Sequence, residues 1–170
     1  MGCTIINFDE ATFRLVPYLK KVWAPEGFQP DGYFWWSNKK ANIFGALVDG
    51  KNLFYDWYDR LNAHSFIQFV MKFVDSLPKD RKYVFILDNA SSHKAKMAIE
   101  FFSSLGDRFM IEFLPPYSPK LNAIETCWKI TRHEVTNSNL FQNVDDLKNG
   151  VEEFLDNHIF SLNSSNYLVR

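Results

Sequence analysis

The sequence predicts an α/β domain built on a mixed β-sheet with helices on both faces. Two observations carry that expectation. Residues 42–48 (NIFGALV) and 52–57 (NLFYDW) flank an Asp49-Gly50 pair, a strong short-range hairpin signal, so the sheet opens antiparallel. In the second half, short apolar runs alternate with segments of helical periodicity, the order of parallel βαβ units.

The elements follow in order. Residues 3–8 are apolar and β-rich, and the run is expected to end at Asp9-Glu10. A loop-like stretch holds Pro17, Pro25, Gly27, Pro30 and Gly32, and the hairpin comes next. Residues 63–77 place Phe66, Phe69, Val70, Phe73, Val74 and Leu77 on one side of a helix that Pro78 stops. Residues 83–87 (YVFIL) form a continuous apolar run, the pattern of a central strand buried on both faces, ending at Asp88. A helix is expected at 95–105, closed by Gly106, and a strand at 109–114. The rigid loop PPYSPKLN leads into a helix at about 123–135. A final amphipathic helix spans 144–157, weakened at Gly150, and a polar, loose tail runs from Ser161 to Arg170. Residues 1–160 are thus read as one domain. A β-hairpin followed by βαβ units, with an acid after the first strand, after the fourth and on the third helix, is the layout of a ribonuclease-H-like fold.

The chain has 170 residues, enough for one domain with a real core. Aromatics reach 17%, mostly through 17 Phe, which is read as packing. The two cysteines, Cys3 and Cys127, build neither a disulfide framework nor a thiolate zinc site, so a reducing compartment is the default. The start, MGCTIINFDE, has no basic region followed by a long apolar one, and the apolar run at 66–74 is too short to span a bilayer. A cytoplasmic protein is expected, with no membrane partner. Net charge is −1 and pI about 6.4, which argues against a stand-alone nucleic-acid binder but less against a domain that gathers acids around metal. The cations are local: Lys20-Lys21, Lys39-Lys40, Lys79 with Arg81-Lys82, Lys94 with Lys96, and Lys129 with Arg132.

Asp9 and Asp88 each follow an apolar strand. In open α/β sheets ligands bind beyond the carboxyl ends of strands, so two neighbouring parallel strands would bring these acids together. Hard cations such as Mg²⁺ take oxygen ligands, a few carboxylates plus substrate phosphate. Each acid also has an ordinary role. An Asp after a strand is commonly a turn former, and Asn89 after Asp88 strengthens that role there. Glu125 could close a capping box with Asn122 or pair with Lys129 four residues on. Residue physics alone does not select Glu125 over Glu100, Glu112 or Glu134. Glu10, adjacent to Asp9, points to the opposite face if the strand continues. Trp128 is read as core; the Trp35-Trp36 pair is a strand end or an exposed DNA-contacting surface, with core packing the preferred reading.

The strings FDEATF (8–13), LDNASSHKAK (87–96) and LPPYSPKLNAIETCWKITRHEV (114–135) resemble, in order, the three signature blocks of bacterial insertion-sequence transposases. WAPEGFQP (23–30) is similar to a further stretch of these enzymes. The resemblance is to the insertion sequence 630 family of the mariner superfamily and covers about residues 6–135. It implies a ribonuclease-H-like DDE catalytic domain of a DNA transposase, with Asp9, Asp88 and Glu125 as catalytic, metal-binding carboxylates and Mg²⁺ or Mn²⁺ as a two-metal cofactor. It implies metal-activated cleavage of DNA at the element's ends, then strand transfer to target DNA. Lys94, Lys96, Lys129 and Arg132 are candidate DNA contacts, and Glu125, Lys129 and Arg132 share a helix face. Asn89, His93 and Asn122 are candidates to support the acids from behind. Where many relatives have Pro after the LN pair, this chain has Ala123, which leaves Asn122 to begin the helix.

Members of that family usually carry N-terminal helix-turn-helix modules that recognise the element's ends. Asp9 stands near the start of this chain, so such a module is expected as a separate part, and a homodimer on paired DNA ends is expected by analogy. A ribonuclease-H-like nuclease and an inactive remnant that binds DNA or protein are the alternatives. The LPPYSPKLN block argues against the first and the intact acids against the second.

Overall fold

The first apolar run becomes β1 (Thr4–Arg14) in the computed structural model, which describes residues 3–15, 26, 37–116, 118–137 and 139–162. The WAPEGFQP stretch apart from Glu26, the Lys20-Lys21 and Trp35-Trp36 pairs, and residues 163–170 lie outside the described residues. β1 does not stop at Asp9-Glu10 as the sequence suggests. Its outer half pairs antiparallel with β2 (Lys40–Val48), from Ile6 opposite Val48 to Arg14 opposite Lys40. Cross-strand pairing thus overrides the weak strand propensity of two adjacent acids. Asp9 is therefore a mid-strand residue rather than a turn former.

β2 turns into β3 (Asn52–Tyr58) through Asp49 and Gly50, whose φ angles of 48° and 70° are both left-handed. Asp and Gly suit such a turn because one tolerates and the other freely adopts positive φ. The turn is clasped to the start of β1. Asp49 N–H donates to Ile5 O at 2.8 Å, and its Oδ1 accepts from Ile5 N–H at 2.9 Å.

Helix α1 (Ala63–Ser76) opens with a capping box between Asn62 and Ser65. It leads to β4 (Tyr83–Leu87), α2 (Lys96–Ser104) and β5 (Phe109–Phe113). α3 (Ile124–Thr131) continues into a π-helical turn over Arg132–Thr136, where Asn137 N–H reaches back to Arg132 O at 2.9 Å. α4 (Val144–Asn157) is capped by Asn143. Its Gly150 is a packing requirement, since an added Cβ would meet the Phe141 ring at 2.8 Å.

The strand order is β3-β2-β1-β4-β5, with β1, β4 and β5 parallel and the hairpin antiparallel. Side chains alternate across the sheet. Ile6 and Phe8 join Phe66, Phe69, Val70 and Phe73 of α1 and Phe102 of α2 on one face. Phe8 meets Phe66, Phe69, Phe73 and Phe85 edge-on, with centroids 4.8–6.3 Å apart, so the abundant phenylalanines are indeed core. Ala11 and Phe13 face the other way, against Ile124, Cys127 and Trp128 of α3 and Leu147, Val151 and Leu155 of α4. Phe160 is buried and Leu162 N–H donates to Gly50 O at 2.9 Å; the rest of the expected tail, 163–170, lies outside the described residues. Among the described residues no helix is long and apolar enough to cross a membrane.

One position sets how closely α3 approaches the sheet. A Cβ on Gly45, in β2, would lie 2.6 Å from the Trp128 ring and 3.0 Å from Ile124 Cδ1. Only a residue without a side chain lets the indole come this close to the strand. Gly45→Ala is expected to destabilise the fold by about 1–3 kcal/mol, the usual cost of overpacking a filled core. Urea denaturation checks this, and an unchanged midpoint would show that α3 can lift away freely.

Candidate active site

β1 and β4 bring the first two acids together by register. Asn7 lies opposite Ile86 in the parallel ladder, and two more steps put Asp9 across from Asp88, just past Leu87. Alternation turns Asp9 to the α3 face and Glu10 to the α1–α2 face. Asp9 is only 7% exposed. Glu125 sits in the first turn of α3. Asp88 and Glu125 line one cleft of about 420 Å³ with Asn89, Pro115, Pro116 and Asn122. Glu125 and Asn122 also line a second cleft of about 270 Å³, walled by Lys120, Lys129 and Arg132.

The acids are close enough to repel one another. Burial pushes the Asp9 carboxyl well above its ordinary range, and the charges of Glu125, Glu10 and Asp88 push it further. Burial also raises Glu125, with Arg132 opposing and Asp88 and Glu10 adding. Asp88 goes the other way because His93 donates to it, and a backbone bond from Ala90 assists against the cost of its partial burial. Burial works against the charge on His93, but its contacts with Asp88 and Glu10 prevail and push it up to about 9.

The supporting residues act differently from what a sequence pattern suggests. Asn122 does not cap α3 with its side chain, and Ala123 takes the cap position without a side-chain bond. Buried Asn122 instead donates Nδ2–H to Phe8 O at 2.9 Å, tying the start of α3 to β1 one residue before Asp9. The capping box with Glu125 is therefore absent: the Nδ2–H bond to Phe8 orients the amide, and Oδ1 takes no bond from the helix start. The cation acting on Glu125 is Arg132, about two helical turns further on, rather than Lys129. Asn89 donates to Leu114 O, joining the ends of β4 and β5 behind the first cleft. His93 is completely buried, with Nδ1 2.7 Å from Asp88 Oδ1.

Of the candidate DNA contacts, Lys129 and Arg132 wall the second cleft. Lys94 and Lys96 stand apart from both clefts: Lys94 covers the Phe113 ring, and Lys96 pairs with Glu100 along α2. Sequence reasoning did not single out Lys120, although its place in the PPYSPKLN loop just ahead of α3 was a usable signal. It also set Glu10 aside, and the structure brings Glu10 to His93 on the opposite face.

The donor set suits a hard divalent cation. It consists of carboxylate oxygens whose mutual repulsion a cation would relieve, beside an Asn122 Oδ1 that is buried without a hydrogen-bond partner. Among the described residues, no three His, Cys, Asp or Glu side chains are grouped tightly enough to hold an ion as they stand. Mg²⁺ does not require such a cage, since it keeps several waters and takes one or two carboxylates plus substrate phosphate.

A family model described as DDE superfamily endonuclease matches residues 4–148. No curated protein matches. The crystal structure of the Mos1 strand transfer complex is similar, with a TM-score of 0.73 and 20% identity, over 96% of this chain and 50% of that one. The Mos1 mariner paired-end complex with Mn gives 0.71 and 18%, over 96% and 50%. The catalytic domain of Mos1 mariner transposase gives 0.67 and 15%, over 96% and 74%. This chain spans about half the length of the chains in the two complexes, with 50% covered in each. These likenesses establish the expected ribonuclease-H-like fold.

The raised Asp9 has a definite pH signature. As pH rises through 3.8, its ordinary value, the unfolded chain loses this proton before the folded chain does, so stability falls from there upward. In chelator, Asp9→Asn is expected to be more stable than the parent at pH 8, with the difference shrinking toward pH 4. His93 adds a second window. Its stabilising charge is fully present below 6.5 and is lost as pH rises through about 9. Urea denaturation across pH 4–9 checks both windows, and parallel curves for parent and Asp9→Asn would show that Asp9 is not under this repulsion.

Proposed function

The chain belongs to the DDE superfamily endonucleases, and from that premise we propose that it is the catalytic domain of a mariner-type DNA transposase that cuts and transfers DNA strands. One observation carries the proposal: acids from β1, β4 and α3 gather at the carboxyl end of the parallel strands, near enough to repel one another. Such an arrangement costs stability unless a cation relieves the repulsion, and it is the kind of perturbed cluster found at functional sites.

Asp9, Asp88 and Glu125 would hold the divalent cation, Mg²⁺ or Mn²⁺. Bound there, the metal would supply charge stabilisation for the attacking and leaving oxygens of a phosphoryl displacement. The likeness to a Mos1 paired-end complex with Mn supports this choice of metal. Asp9 itself is shielded from bulk water, whereas Asp88 and Glu125 face the clefts. Asn122 fixes the distance between Glu125 and β1. Lys120, Lys129 and Arg132 present positive charge to the DNA backbone on the side of Glu125 away from Asp88. With the chain spanning about half of its solved relatives, an end-recognising helix-turn-helix part and a homodimer on paired ends belong to the same proposal.

The test uses this chain joined to a DNA-binding part, with DNA carrying the element's ends and Mn²⁺ or Mg²⁺. Asp9→Asn, Asp88→Asn and Glu125→Gln are each expected to lower nicking by more than the roughly 10–100-fold typical of changes behind a metal site. Glu125→Gln with near-parent activity would remove Glu125 from the site. Millimolar Mn²⁺ should also raise the Tm of this chain, because an ion bound only by the folded state stabilises it. The absence of any shift would favour an inert remnant.

A further inference from the structure

We propose that His93, backed by Glu10 from the opposite face of the sheet, is a positioning residue that fixes the orientation of Asp88 and leaves one of its oxygens for the divalent cation. The inference rests on the site reading above and extends it to two residues that touch neither cleft.

Asp88 needs such a device. It lies one residue past the end of β4 with its side chain 43% exposed, where a carboxylate is free to rotate. Two donors hold it, Ala90 N–H at 2.9 Å and His93 Nδ1 at 2.7 Å. Both end on Oδ1, so the carboxylate plane is fixed and Oδ2 takes neither bond.

His93 is itself held on three sides. It is wholly buried, and its ring packs on Phe66 with centroids 4.2 Å apart. Its Nε2 faces Glu10 Oε2 at 3.3 Å. That contact is within ion-pair reach but off line for a hydrogen bond, and both atoms are buried with no other partner. A carboxylate only accepts, so each of the two ring nitrogens, one facing Asp88 and the other Glu10, is asked to carry a hydrogen. Glu10 thereby anchors the Nε2 end of the ring while Nδ1 meets Asp88. The chain neighbours Asp9 and Glu10 thus serve one site from two faces of the sheet, Asp9 directly and Glu10 through His93. Histidine–carboxylate contacts behind metal ligands are a general way of orienting them.

Calorimetric titration of the 170-residue chain with MnCl₂ tests this, and His93→Asn and His93→Gln are the informative pair. Asn can place an amide donor at the Nδ1 position, whereas Gln places it at the Nε2 position, toward Glu10. His93→Gln is expected to weaken Mn²⁺ binding about 10–100-fold, and His93→Asn to stay close to the parent. Glu10→Gln should lose a smaller part. A folded His93→Gln that binds Mn²⁺ like the parent overturns the proposal, as does equal loss in both His93 variants. Unchanged binding in Glu10→Gln removes Glu10 from it. Asp88→Asn is the control: if it also binds Mn²⁺ like the parent, the metal-site reading fails first.

Discussion

The seating of α3 on the sheet is the constraint from which the site follows. Glu125 belongs to a helix, and a helix can sit against a sheet at many heights and angles. Here two contacts remove that freedom. Trp128 lies on the bare backbone of Gly45, which is the cross-strand partner of Asp9. Asn122 grips the carbonyl of Phe8, next to the same aspartate. One contact fixes depth and the other fixes position along the strand. Both converge on Asp9, so the helix acid meets the strand acids by packing before any ion is present.

That packing explains how like charges are held together. Mutual repulsion and burial both penalise Asp9, and the surrounding Phe and Trp layers must offset the cost. Phe8 and Asp9 show the arrangement in two adjacent residues. One is the centre of an aromatic cluster and the other is a buried acid on the α3 side of the sheet, and strand alternation alone separates them. Strain at a functional site is commonly carried in this way by a rigid frame.

Much of the fold was legible in the sequence because it rests on local patterns. The Asp49-Gly50 turn, the YVFIL strand and the 144–157 helix each announce themselves within a few residues. The errors lie where a distant partner decides. β1 continues past Asp9-Glu10 because β2 pairs with it, and Gly150 reads as a weakness until Phe141 is placed against it. The acids became visible through ordered motifs and not through spacing. Glu125 and Asn122 form a plausible capping box on paper, and only the sheet shows that Asn122 is occupied elsewhere. Glu10 was readable as pointing away, but no sequence pattern reveals that a buried histidine waits on that side.

The clasp at the hairpin tip has a geometric consequence. Ile5 and Leu162 both bond to the Asp49-Gly50 turn, so the first strand and the last described residue converge on one spot. β1 runs from that spot toward Asp9, roughly 3.3 Å per residue. A segment joined at Ile5 or Leu162 would therefore start beside the hairpin turn, at the end of β1 away from Asp9. The length of any connector joined there would set how far a tethered part reaches along the strands toward the acids.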